Sequence, residues 1–314
     1  MSTKSTREAC IRALTELAEK DSRYVFVSAD SQAAARATPF VERFPDRCYD
    51  VGIAEQNAVG FAAGLASCGL IPFVITYSGF LTMRACEQLR TFVAYPGLKV
   101  RLVGLNGGLF GGEREGVTHQ FFEDLGIVRS IPGITVATPA DANQAYHMTK
   151  EIADIKGPAF LRLGSGREHE VYDEKTPCRL GKLNIVRDYG RDAVIFSSGY
   201  ILSRAIDAAE KLKAQGINAV LADVTSLKPL DEDGIAALLK QCGCAVTFED
   251  HNIIGGLGSA VCETASGRCP VPVMRIGLRD EYPRSGKAEE LLDHCGISAG
   301  SIISAVKHAI SMKA

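Results

Sequence analysis

The sequence predicts an α/β protein built as two doubly wound domains, and three observations carry that expectation. Short apolar runs alternate with segments of helical periodicity along the whole chain. The runs are continuous rather than alternating, as in strands of a parallel sheet covered on both faces. The alternation stops once, between Gly164 and Lys182, where the chain turns polar around Pro177, and then it resumes. Residues 1–165 are therefore expected to form one domain, 166–184 a linker, and 185–314 a second, smaller domain. With 314 residues, 46% of them hydrophobic, the chain is long enough for two substantial cores.

In order, residues 7–18 carry Cys10, Ile11, Leu14 and Leu17 at helical spacing. Tyr24–Ser28 reads as a strand ending in the polar loop Ala29-Asp30-Ser31, and 47–51 leads into a helix that starts near Glu55. Strands are expected at 71–75, 100–105, 134–137 and 159–163, and helices at 81–93, 124–129 and 140–155. The third strand opens into a glycine-rich loop from Asn106 to Gly116. Beyond the linker, strands at 193–197, 219–223, 245–249 and 273–276 alternate with helices at 203–215, 232–241 and 258–265. Two helices, 288–295 and 301–311, close the chain. No short-period repeat is present.

Composition narrows the class. A net charge of −2 gives no global electrostatic case for nucleic acid or an anionic membrane. No apolar run approaches membrane-spanning length, and the first residues lack the apolar core of a signal peptide. Of the ten cysteines, Cys10, Cys48, Cys68, Cys86 and Cys262 stand singly in apolar segments, as small core residues of a reducing cytoplasm do. Cys242 and Cys244 are the one close pair, without metal-ligand spacing.

Open parallel sheets bind ligands beyond the carboxyl ends of their strands. In the first domain that edge collects residues 28–31, Glu55, residues 77–80 and residues 106–120. Together they supply a carboxylate, aromatic surface, a permissive glycine loop and His119. Glu55 is one acid inside a small, apolar run, and burying it is costly unless something pairs with it. The plainer reading is an exposed acid at a helix start, favoured by the helix dipole. His119 suits general acid–base work or is a hydrogen-bonded loop histidine. GxGxxG and P-loop patterns are absent. Glu249-Asp250-His251-Asn252, ahead of Gly255-Gly-Leu-Gly258, reads either as an acid–His pair beside a phosphate-binding helix start or as a helix start packed at an interface.

The motifs DVGIAEQNAVGFAAGLA, YSGFLTMRA, GVTHQFFEDLGIVRSIPGITVATPAD and FEDHNIIGGLG, in this order, resemble the transketolase family over essentially the whole chain. The resemblance implies a thiamine-diphosphate pyrimidine-binding domain followed by a transketolase C-terminal domain. It implies that Glu55 binds N1′ of the cofactor's aminopyrimidine and promotes the tautomer that activates the thiazolium carbon. Phe80 matches the aromatic that stacks on the pyrimidine, and Ile53, Met83 and Cys86 are assigned to the same cofactor wall. Met83 and Cys86 fall where relatives often carry further aromatics, so that wall is thinner here. His119 matches the histidine that contacts the donor's hydroxyl or developing oxyanion.

Two departures qualify the resemblance. The GDG motif that holds the diphosphate through Mg²⁺ in full-length relatives does not occur. The chain is therefore similar to the C-terminal subunit of a split enzyme. The implied partner is an N-terminal, diphosphate-binding subunit, and the implied assembly is alpha2beta2 with the site between subunits. The second departure concerns substrate. Asn106 or Gly107 stands where relatives acting on sugar phosphates place a His, and Ser165 where they place an Arg. Glu115 replaces the usual Asp before Gly-x-Thr-His, and GGEREG reads as one residue longer than usual. Arg7 and Ser28 fit positions near the substrate's phosphate end, and Arg162 or Arg167 is expected to replace the displaced Arg. Ketol transfer between a ketose and an aldose, with a non-standard sugar or sugar phosphate, is the reading this supports. The alternatives are the β subunit of a 2-oxo acid dehydrogenase E1 component, a deoxyxylulose-type synthase, and a non-catalytic scaffold or regulatory subunit.

Overall fold

The computed structural model describes residues 3–111 and 115–313. The chain begins with a two-residue strand, β1 (Thr3–Lys4), and α1 (Thr6–Lys20). Ser5 caps α1 by accepting from the Glu8 amide at 3.2 Å. There follow β2 (Tyr24–Ser28), the short helices α2 (Gln32–Ala35) and α3 (Thr38–Arg43), β3 (Cys48–Asp50), α4 (Glu55–Ser67) and β4 (Ile71–Tyr77). Instead of one regular helix over 81–93, two π-helical stretches follow, Phe80–Arg84 and Gln88–Ala94. Then come β5 (Arg101–Leu105), a 3₁₀ turn at Gly116–His119, α5 (Asp124–Ser130), β6 (Thr135–Ala137), α6 (Ala142–Asp154), β7 (Ala159–Arg162) and β8 (Glu168–His169).

The remainder is β9 (Asn184–Asp188), β10 (Ala193–Ser197), α7 (Leu202–Ala214), β11 (Ala219–Asp223), β12 (Ser226–Lys228) and α8 (Glu232–Cys242). It ends with β13 (Ala245–Asn252), α9 (Leu257–Arg268), β14 (Val273–Leu278), α10 (Ala288–His294) and α11 (Ala299–Ser311). No helix among the described residues is long and apolar enough to cross a membrane.

Two main sheets result, both mostly parallel. The first has the order β12-β6-β7-β5-β4-β2-β3, and the second β14-β13-β10-β11-β9. Strands β2, β5, β7, β10 and β11 are buried at every residue, because helices cover both faces. Both sheets end in an antiparallel strand that the sequence pattern does not signal. β9 pairs antiparallel with β11 at the edge of the second sheet. β12 leaves the second domain and pairs antiparallel with β6, so the first sheet is completed by a strand from beyond the linker. β1 and β8 form a separate two-stranded ribbon that closes 162 residues of chain onto the start of α1. One cluster of buried apolar side chains runs without a break from Val74, Leu102 and Phe160 into Val194, Val220 and Leu239, so the two domains share a core.

Candidate functional site

The carboxyl ends of β2, β4, β5 and β7 converge, and the loops leaving them build the site. Glu55 opens α4, whose preceding residue Ala54 provides no side-chain cap. The exposed reading of Glu55 is excluded, since only 2% of it is accessible. Its charge is met by Arg84, whose Nη1 donates to Oε2 at 2.7 Å. The Arg84 guanidinium carbon also lies 4.0 Å over the centroid of the Phe80 ring, a cation–π contact. Phe80 and Arg84 stand four residues apart in the first π-helical stretch, which stacks them.

Phe80 joins a ring cluster. Its centroid is 5.7 Å from Tyr77, 5.2 Å from His119 and 5.3 Å from Phe121, all edge-to-face. His119 also meets Tyr77 at 5.2 Å, and its Nδ1 is 3.0 Å from Thr118 Oγ1. The cluster closes only because residue 79 is glycine: a Cβ there would stand 2.1 Å from the Phe121 ring. The structure thus brings Glu55, Phe80 and His119 together and adds Arg84, Tyr77 and Phe121. The one sequence signal for Arg84 is its helical spacing after Phe80.

The other expected cofactor-wall residues separate. Ile53 and Met83 are exposed at 76% and 43%. Cys86 is half-buried and packs against the shared core. Phe61 on α4, together with Phe92 and Tyr95 in and just after the second π-helical stretch, is exposed as well, and Tyr95 is 90% accessible. α4 packs against both π-helical stretches, so these side chains belong to one apolar flank beside the site.

The expected substrate group also divides. Asn106, in the left-handed conformation at φ +56°, follows β5 and accepts a close hydrogen bond from Arg7. Arg7 further donates to Ala34 O at 2.9 Å and to Gly164 O at 3.3 Å, tying α1 to three strand-end loops. Burial lowers its pKa. Ser28 is fully buried, and its Oγ accepts from the Ser31 amide at 2.9 Å, which folds the loop after β2. Glu115 is exposed, and its carbonyl accepts from Thr118 Oγ1 at 3.2 Å. The expected extra residue in GGEREG falls partly on 112–114, outside the described residues.

Arg162 is a correction. Rather than facing substrate, it lies at the domain junction in an ion pair with Asp124 at 2.8 Å, with 5% and 0% of the two side chains accessible. It also donates to Phe121 O at 3.0 Å and Asp250 O at 2.9 Å. Asp124 accepts a second, close bond from Ser78 Oγ. Removing one partner of such a buried pair costs about 3–5 kcal/mol. Arg167 is exposed.

The Glu249–Asn252 segment follows its interface reading. Glu249 itself caps α9, accepting from the Leu257 and Gly258 amides at 2.6 Å and 2.8 Å, while burial pushes its pKa up to about 8. Asp250 accepts from the Leu109 amide at 3.0 Å and from Tyr200. His251 donates from Nδ1 to Asn252 O at 2.7 Å and accepts at Nε2 from the Gly126 amide at 3.2 Å. That fixes a neutral tautomer, consistent with a pKa lowered by burial. These groups join the glycine loop and α5 to the second domain.

The transketolase pyrimidine-binding domain matches residues 2–167, and the transketolase C-terminal domain matches residues 181–302. The 6-deoxy-6-sulfo-D-fructose transketolase subunit of a Clostridium species is 38% identical over 307 residues, 98% of this chain and 95% of that protein. One of the apulose-4-phosphate transketolase subunits of Phocaeicola vulgatus is 34% identical over 297 residues, 94% of each. A solved split-gene transketolase, described as an inactive beta4 tetramer, superposes with a TM-score of 0.90 at 36% identity and covers 99% of both chains. The chain belongs to the transketolase family.

Proposed function

We propose that the chain is the C-terminal-type subunit of a split, thiamine-diphosphate-dependent transketolase-like transferase. The observation that carries this is a buried carboxylate, Glu55, joined through Arg84 to the face of Phe80, whose ring packs edge-to-face with the His119 imidazole at the strand ends. An acid beside an aromatic face fits an aminopyrimidine, which needs a hydrogen-bond partner at a ring nitrogen and a surface to stack on. Among the described residues no group of three or more His, Cys, Asp or Glu side chains stands ready to hold a metal ion. We assign Mg²⁺ and the diphosphate to a partner subunit on the sequence ground that the GDG motif of full-length relatives does not occur here.

When bound, thiamine diphosphate supplies the nucleophilic carbon and the electron sink for two-carbon transfer. Glu55 holds a proton at the ring nitrogen N1′. Phe80 orients the ring, and Ile53 and Met83 border it. His119 donates to the donor's hydroxyl or to the oxygen on which negative charge develops. Asn106, held by Arg7, and Glu115 line the substrate side. The apolar flank of Ile53, Phe61, Met83, Phe92 and Tyr95 receives the diphosphate-binding partner, with two copies of each subunit in the assembly. All ten cysteines are free thiols, which suits a cytoplasmic location.

For substrate we favour a ketose other than the standard pentose and hexose phosphates. Two similar proteins are named for sulfofructose and apulose 4-phosphate, and Asn106 stands where a phosphate-site histidine is expected. The test is co-purification with a diphosphate-binding subunit, followed by a ketose panel with thiamine diphosphate and Mg²⁺. Glu55→Gln in the reconstituted pair is expected to lower kcat at least about 100-fold. Unchanged turnover removes the catalytic assignment. Ordinary efficiency on xylulose 5-phosphate with ribose 5-phosphate removes the substrate preference.

A further inference from the structure

The geometry points to Arg84 as a placeholder for the aminopyrimidine ring: in the chain by itself its guanidinium makes both contacts that the ring requires, and it leaves them when the ring enters. This rests on the proposed cofactor reading of Glu55 and Phe80. The first contact is the 2.7 Å hydrogen bond from Nη1 to the buried Glu55 carboxylate. The second is the stacking of the guanidinium carbon 4.0 Å over the Phe80 ring. A guanidinium is planar, weakly hydrated and rich in N–H donors, so it meets a carboxylate and an aromatic face at once. An aminopyrimidine presents the same combination, a flat face with a hydrogen-bonding edge.

The arrangement answers a physical need. Glu55 is 2% accessible, and a buried carboxylate left without a partner is strongly disfavoured. Whenever partner and cofactor are not bound, a subunit that carries only the pyrimidine half of a cofactor site needs another counter-ion for its acid. Arg84 is suited to come and go. It is 47% accessible, it hangs from a π-helical stretch rather than a regular helix, and its neighbour Met83 is exposed. The two contacts it surrenders are of the half-exposed ion-pair and cation–π kinds, each modest in strength.

The test uses the full chain without a partner and the probe 4-amino-5-hydroxymethyl-2-methylpyrimidine, with affinity read by NMR titration. Arg84→Met and Arg84→Gln are each expected to bind the probe on the order of tenfold more tightly than the parent chain, since neither has a competitor to displace. The gain is expected to vanish when Glu55→Gln is added. In the parent chain, the Arg84 side-chain Nε–H resonance is expected to move as the probe saturates. Equal or weaker binding in both variants overturns the proposal, and weaker binding shows that Arg84 supports the ring instead. Turnover is not read here. A fully active Glu55→Gln pair would therefore remove the functional reading, whereas an absent gain in probe binding would remove the placeholder alone.

Discussion

Asp223 shows how a single side chain at the domain junction carries a measurable consequence. It ends β11, fully buried, and its Oδ2 accepts from Gln144 Nε2 at 2.7 Å and Tyr172 Oη at 2.8 Å. Its Oδ1 has no partner among the described residues. Burial raises its pKa from the ordinary 3.8 to about 6 despite those donors. With a folded pKa above the unfolded one, the folded state holds more protons between these values. The contribution to stability is thus complete below about pH 4 and is lost as pH rises through about 6. Asp223→Asn keeps an acceptor for these two donors and for Thr225 Oγ1, which donates to the same oxygen at 3.2 Å, and places an amide where the unpartnered oxygen stood. The variant is expected to flatten the stability profile between pH 4 and 6 and to gain roughly 2 kcal/mol at pH 7, read by urea titration across pH. An unchanged slope in that window would mean that Asp223 does not titrate there. Tertiary burial of this kind cannot be read from the stretch AVLAD, where the acid looks like an ordinary strand-end residue.

At the scale of elements, the glycine loop after β5 is where local conformation and long-range packing coincide. Gly108 has φ +77°, and a Cβ there would stand 1.5 Å from Asp250 Oδ2, on the carboxylate that receives the Leu109 amide. Gly97 has a similar φ of +69°, and a Cβ there would meet no described atom within 4 Å. Gly97→Ala is expected to cost about 1–2 kcal/mol, the penalty for an L-residue at positive φ. Gly108→Ala is expected to cost at least about 2 kcal/mol more, because the junction must also move. Equal losses in thermal unfolding would detach the loop from the second domain.

The parallel strands are legible in the sequence because each is a continuous apolar run. β1, β8 and β12 are not, since two or three residues carry no period and the pairing partner lies far along the chain. The apolar pattern stops β13 at 249. The strand runs on through Glu249, Asp250 and His251, which are buried by pairing rather than by hydrophobicity, and no polarity pattern signals that. In the site, the lone acid in an apolar helix start draws attention to Glu55, and the family resemblance gives Phe80 and His119 their roles. Arg84 escapes notice because a cation half-way along a helical stretch looks like any solvated one. Arg162 misleads because its strand-end position resembles a ligand's, while its partner Asp124 becomes a neighbour only on folding.

At the scale of the whole molecule, the two domains are less separate than the polar stretch between them implies. They share a core cluster, a buried network around Arg162, Asp124 and Asp250, and one sheet. A fragment ending at residue 185 would lack β12 and leave the backbone groups of β6 open. Such a fragment is expected to self-associate in size-exclusion chromatography, and a peptide spanning 222–231 is expected to suppress that association. A stable monomeric fragment would show that β12 is dispensable.

The borrowed strand also bears on how chains of this family can be recombined. A chimera joined at the apparent linker would inherit its catalytic sheet from one parent and that sheet's last strand from the other. The crossover that keeps the strand with its sheet lies past residue 230, inside what sequence similarity assigns to the C-terminal domain. Exchange of substrate-side loops between relatives is therefore best made within residues 1–165, with everything from β12 onward left in its native pairing.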